Sequence, residues 1–298
     1  MPRRVALLAA LLVGAALFSA APAQASQLQN VSAVTLSTHA GGAQHVRYSF
    51  SITTSASGAL GSGGTIRIDA DNGTVLPTVA TLHNDTTNTT ISRSATTTNV
   101  GATTTIHLCC TDTINPGDTV TITLDDVTNP GAALHSLSAS TSADVTPVAS
   151  PSFTLNAAGT VSGVTAPTVS STAGNAQHVR YSFSFTTSSP DGGLVGPGTI
   201  VITAPTGTVL PGVASLHDNN TGATISRSGT LTNSSTTLTV HLCCTDAINA
   251  GDTVVVTLDD VKNAAANPSP YTLSVSTSSD PAPVASQNYT LDNPNPVT

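Results

Sequence analysis

Four cysteines stand in two adjacent pairs, Cys109-Cys110 and Cys243-Cys244, each preceded by a histidine (His107, His241) and followed by an aspartate (Asp112, Asp246). Such residues can bind zinc or carry thiol redox chemistry. Zinc sites favour cysteines about two to four residues apart, so that a loop folds round the ion, whereas neighbours on a strand diverge. A disulfide beside a surface histidine is therefore the expectation, and no metal site is assigned. Adjacent α-carbons lie ~3.8 Å apart, short of the ~4.4–6.8 Å usual for a disulfide, so a bridge within a pair closes a strained ring and needs a turn in the chain. Both pairs sit where a strand gives way to a loop, and each is expected to close on itself. Free thiols and bridges between copies or chains are the alternatives.

Other groups are weaker candidates. Asp69-Ala70-Asp71-Asn72-Gly73 has the oxygen density of a calcium loop, but its later counterpart, Thr203-Ala204-Pro205-Thr206-Gly207, has lost both carboxylates, and a polar turn is the better reading. Asp125-Asp126 with Asp118, and Asp259-Asp260 with Asp252, form a second weak calcium candidate, explained equally well by carboxylates at a strand end. No Gly-x-Ser-x-Gly elbow occurs. The Gly58 to Gly64 loop opens no helix that could hold phosphate, and His45, His83, His107, His178, His217 and His241 alternate with apolar residues as outward strand positions would. No catalytic residue and no cofactor is expected.

The elements that position these groups are written twice. Gln44-His45-Val46-Arg47-Tyr48-Ser49-Phe50-Ser51 recurs 133 positions later from Gln177 to Ser184, and His107 to Asp112 recurs 134 later as His241 to Asp246. Thr74 to Pro77, Ile91 to Ser94 and Leu124 to Val127 recur in the same way. That period exceeds the roughly 20–50 residues of a solenoid unit and suits an independently folding domain. Within each copy Val46, Tyr48, Phe50 and Ile52, or Val179, Tyr181, Phe183 and Phe185, alternate with polar residues as in a strand with one wet face. Val120, Ile122 and Leu124 do the same. Further strands are expected at Val31 to Ser37, Thr65 to Ala70, Thr90 to Ser94, Thr103 to Cys109, Leu134 to Thr141 and Pro151 to Leu155. Gly, Pro and Asn clusters separate them. About seven to nine short strands without a helix predict an all-β chain of two β-sandwiches.

Composition agrees. All sixteen acidic residues are Asp, Lys262 is the one lysine, and Trp is absent, so the chain lacks what helices are made from. Residues 1–25 have the form of a signal peptide: Arg3 and Arg4, an apolar run from Val5 to Phe18, then Ala23-Gln24-Ala25. The run is too short to span about 30 Å of hydrocarbon, so no stable membrane span is expected after cleavage. Six basic residues against sixteen acids then remain, and with no basic cluster nucleic acid is excluded as a partner.

Gly251 to Val261, then Asn263 and Tyr271 to Asp280, with their first-copy counterparts Gly117 to Val127, Asn129-Pro130 and Leu137 to Asp144, resemble the tandem immunoglobulin-like modules of bacterial surface and extracellular proteins. The resemblance covers both copies through strand and turn motifs and carries no active-site residue across. It implies two tandem immunoglobulin-like β-sandwich domains, residues 26–157 and 158–298, in a secreted, cell-surface-associated protein. The function expected is structural or adhesive and non-enzymatic, with a cell-surface or matrix component, or a glycan, as partner. The alternative is a carbohydrate-binding module, disfavoured by the poor stacking surface that four Tyr, five Phe and no Trp provide.

Overall fold

The computed structural model describes residues 26–91 and 98–293. The expected signal segment and the end of the Ile91 to Ser94 repeat lie outside them. The described residues form strands and turns, and among them no helix is long and apolar enough to cross a membrane. Alternation becomes burial directly: along Val46–Thr53 every second residue is buried, and Thr119–Val127 follows suit until its last three residues.

In the first copy one antiparallel sheet runs from the short strands Asn30–Val31 and Thr35–Leu36 through Val46–Thr53, Thr119–Val127 and Ala80–Asn84 to Thr89–Ile91. The other runs Val148–Ala149, Leu137–Thr141, Thr65–Ala70, Thr103–His107, Thr98–Val100. Tyr48, Phe50, Ile52 and Ile122 from the first sheet meet Ile66, Ile68, Ile106 and Leu137 from the second in one apolar core. A separate core gathers Tyr181, Phe183, Phe185, Ile200, Ile202, Val254 and their neighbours in the second copy. There the two sheets are continuous, because Thr224–Thr232 pairs first with Val213–Asp218 and then with Thr237–His241. Gly229 sits at that crossing. A Cβ there would lie 2.5 Å from the Thr239 carbonyl oxygen, so the bend needs glycine.

Several expected strands differ in detail. Val31 to Ser37 splits into two fragments, Leu134 to Thr141 divides into Leu134–His135 and Leu137–Thr141, and Pro151 to Leu155 keeps only Phe153–Thr154. Ala80–Asn84, which has no long alternating pattern and ends on a buried polar residue, was not anticipated.

Buried polar groups hold the loops. The Tyr48 hydroxyl donates to Asn129 Oδ1 at 2.7 Å, while Asn129 Nδ2 donates to the carbonyls of Ala40 (2.8 Å) and Thr38 (3.3 Å). Tyr181 and Asn263 repeat the arrangement. Burial pushes the Tyr181 hydroxyl up to about 12, which fits a hydroxyl that serves as a donor.

One buried pair differs between the copies. Asn84 Nδ2 donates to Asp118 Oδ2 at 2.8 Å, but the counterpart of Asn84 is Asp218, whose Oδ2 is buried without a donor. Burial acts to raise the Asp218 carboxyl; the hydrogen bonds it accepts from the N–H groups of Asn220 and Thr221 oppose this, and Asp218 lies below the usual carboxylate range. It is therefore ionised at neutral pH. Asp218→Asn restores the missing donor and is expected to stabilise the second copy by about 1 kcal/mol at pH 7, and Asn84→Asp to destabilise the first by about 1–3 kcal/mol. Thermal denaturation of the two variants checks both signs.

Candidate functional site

The repeated Leu-Asp-Asp-Val motif makes a bulge. Val46 pairs with Val127 and Tyr48 with Leu124, so the single residue Arg47 faces two, Asp125 and Asp126. Asp126 has φ 73° and His45 φ 56°, both left-handed. The kink turns the carboxylates outward, where Asp126 meets His45 Nδ1 and Asp125 meets Arg47 Nε. The second copy builds the same pairs, His178 with Asp260 and Arg180 with Asp259.

In the first copy this edge faces the other sandwich. Arg47 Nη2 donates to the Gly196 carbonyl at 3.1 Å and the Gln44 N–H to the Ser278 carbonyl at 3.0 Å. Asn156 Nδ2 donates to Asp191 Oδ2 at 2.7 Å, and the Thr38 hydroxyl to the Asp191 carbonyl. Beside this seam lies a cleft of about 400 Å³ with His45, Asp125, Asp126 and Val79 on one side and His241 and Leu242 on the other. It combines an apolar floor, two imidazoles and two carboxylates, a set that can hydrogen-bond hydroxyl or amide groups while covering an aliphatic face.

Close to the seam stands the second cysteine pair. Asp246 Oδ2 accepts the Cys243 N–H at 2.9 Å, and the Asp246 N–H donates back to the Cys243 carbonyl at 2.9 Å, closing a tight turn. Arg227 grips the same carboxylate through Nε and Nη2, each at 2.7 Å. Cys110 and Cys244 have φ of 65° and 59°. The chain thus turns at each second cysteine, and the Cys243 and Cys244 sulfurs lie 3.0 Å apart rather than on opposite faces. All four cysteines are free thiols in this structure. The neighbouring thiol, through a shared hydrogen bond, raises Cys109 and Cys244 above the ordinary thiol range.

The zinc and calcium candidates are taken up by protein partners. Asp246 is held by Arg227, and His241 Nε2 faces the Thr230 hydroxyl at 3.3 Å. Asp69 accepts from Arg67 and the Thr103 hydroxyl, and the Arg67 hydrogen bond, the largest influence, holds its carboxyl below the usual range. Asp71 accepts from the Ser136 N–H. Asp118 stands just before the strand Thr119–Val127 and Asp125 near its far end, roughly 20 Å away at about 3.3 Å per residue, so they cannot share an ion. Among the described residues no group of three His, Cys, Asp or Glu is placed to hold a metal.

No family model matches the chain, and no curated protein matches it. Among solved structures it is similar to the C-terminal domain of the antigen I/II polypeptide BspA of Streptococcus agalactiae, at 9% identity and TM-score 0.34 over 87% of this chain and 98% of that one. It is similar also to the C-terminal domain of the antigen I/II-family protein AspA of Streptococcus pyogenes (10%, TM-score 0.31, 90% and 99%). A third is the collagen binding domain of the surface protein RspB of Erysipelothrix rhusiopathiae (14%, TM-score 0.25, 88% and 91%). At that overlap the function of this chain has to be argued from its own residues.

Proposed function

We propose that the chain is a non-enzymatic secreted or cell-surface protein, structural or adhesive, made of two immunoglobulin-like repeats that occupy residues 26–157 and 158–298 and each fold alone. Its partner is a cell-surface or matrix component held in the cleft at the seam. The observation that carries this reading is the cleft itself: its walls come from both copies, and its position depends on the contacts of Arg47, Gln44 and Asn156 that fix one sandwich against the other. Asp125 and Asp126 are engaged with Arg47 and His45, which suits them to recognition rather than to proton transfer. A sugar ligand is the runner-up, as imidazole and carboxylate groups bind hydroxyls well, though no Trp, Tyr or Phe lines the cleft for stacking.

Arrays of matrix proteins and glycans test the idea. Val79 and His241 are exposed cleft residues whose loss leaves the cores intact. The variants Val79→Ser and His241→Ala are expected to weaken binding to the responding probe at least tenfold, about 1.4 kcal/mol. Unchanged binding would remove the cleft from the account, and turnover of any arrayed substrate would remove the non-enzymatic reading.

The cysteine pairs are proposed to bridge within themselves after export, since the Cys243 and Cys244 sulfurs lie 3.0 Å apart and Cys110 shares the left-handed turn of Cys244. Mass spectrometry of unreduced peptides is expected to give each pair two hydrogens light and linked to nothing else; a peptide joining Cys109 or Cys110 to Cys243 or Cys244 would contradict it. So short a ring constrains little unfolded chain, so reduction is expected to change stability by less than about 1 kcal/mol.

A further inference from the structure

The seam between the two copies uses one face from each, and because the copies are alike, each face exists a second time. The His45, Arg47, Asp125 and Asp126 edge of the first copy is covered by the second; its repeat, the His178, Arg180, Asp259 and Asp260 edge, is covered by none of the described residues. His45 is 32% exposed and His178 82%, Arg47 37% and Arg180 64%. Ala40 and Ala43 are buried, whereas Ala173 and Ala176 are half-buried. The opposite face behaves likewise. Gly196 and Ser278, which accept from Arg47 and Gln44, are buried in the second copy, Gly196 also against the Cys243-Cys244 backbone of its own copy, while their first-copy counterparts Ser62 and Ser142 are exposed. Each chain therefore carries one occupied seam and, at its two ends, an unoccupied copy of both halves of that seam.

We propose that chains join head to tail, the Gln177 and Arg180 edge of one chain docking on the Ser62 and Ser142 face of the next as Gln44 and Arg47 dock on Gly196 and Ser278. Two features make the occupant a second copy. The acceptors for Arg47 and Gln44 in the existing seam are the backbone carbonyls of Gly196 and Ser278, and Ser62 and Ser142 carry a backbone carbonyl at each matching position. The Arg180 guanidinium is already oriented by Asp259 as Arg47 is by Asp125, with the Nη groups left to donate. The contact is heterologous, so repetition builds an open filament unless the rotation closes a ring. It is weaker than the seam within the chain, because the first copy has no counterpart of Asp191, and Asp292 replaces Asn156. It also lacks the linker, which supplies an effective concentration on the order of millimolar.

Sedimentation velocity of the purified mature chain under reducing conditions, from about 10 μM to about 1 mM, tests this. The sedimentation coefficient is expected to rise with concentration for the wild type. It is expected to stay at the monomer value for Arg180→Glu, which blocks the head, and for Ser62→Trp, which blocks the tail; Arg180→Ala is the milder head variant. The deciding arm is an equimolar mixture of Arg180→Glu and Ser62→Trp. Each retains one working face, so the mixture is expected to form dimers and nothing larger, an outcome that misfolded variants could not give. A wild type that remains monomeric at the highest concentration, a mixture that remains monomeric, or an Arg180→Glu chain that associates as the wild type does would overturn the proposal.

Discussion

Asn129→Ala is expected to cost the first copy about 3 kcal/mol, because the side chain lost is the acceptor for the Tyr48 hydroxyl and the donor to two loop carbonyls, all in a buried setting. A typical hydrogen bond contributes about 1 kcal/mol net, and each buried partner left without one adds its own desolvation penalty of about 1–3 kcal/mol. The segment at risk is Thr38 to Ala43, which packs at the seam. Asn129→Ala is therefore expected to lower the first transition by roughly 10 °C and to leave the second copy's transition in place. Asn263→Ala should do the reverse. Calorimetry reads both; a single transition shifted equally by either variant would show that the copies do not unfold separately.

The second large effect belongs to Asp144 and its repeat Asp280, both fully buried. Asp144 accepts the Ser55 N–H at 2.9 Å and the Ser55 hydroxyl at 2.5 Å, and the loop wraps the carboxylate so closely that a Cβ on Gly58 would lie 2.3 Å from Oδ2. Asp280 holds Ser188 in the same way. Alanine at either site deprives a partly buried N–H and a hydroxyl of their acceptor and opens a polar void, a loss of about 3 kcal/mol. Asn at position 144 keeps one acceptor oxygen but turns an amide N–H toward a donor, so it is expected to fall between Ala and Asp. Denaturant midpoints for the three side chains order the series; equal midpoints would show that the staple contributes nothing.

Much of this was legible in the residues and some was not. The alternation through Val46, Tyr48, Phe50 and Ile52 gave a strand because apolar burial on one face dominates its energetics. The bulge was also present in the sequence, as the apolar period of Val120, Ile122 and Leu124 resumes at Val127 rather than at position 126. That one-residue slip, repeated from Leu258 to Val261, is what turns Asp125 and Asp126 out as ion-pair partners instead of plain strand-end acids. Ala80–Asn84 was opaque because its buried last position is an Asn that donates to Asp118, a choice that hydrophobic patterning does not register. The turn needed at the cysteine pairs was expected from their place at a strand-to-loop junction, but not its form, a left-handed second cysteine in each pair. The seam was hidden for a different reason: the same residues stand exposed in one copy and covered in the other, so no local pattern distinguishes them.

The claim on which the functional reading rests is that the seam holds the binding cleft together. Arg47→Ala combined with Asn156→Ala removes two side-chain contacts across the seam without altering a residue that lines the cleft. Titrated against the matrix-protein or glycan probe to which the wild type responds, the double variant is expected to bind at least tenfold more weakly while both copies retain their melting transitions. Wild-type affinity in that variant would contradict the account.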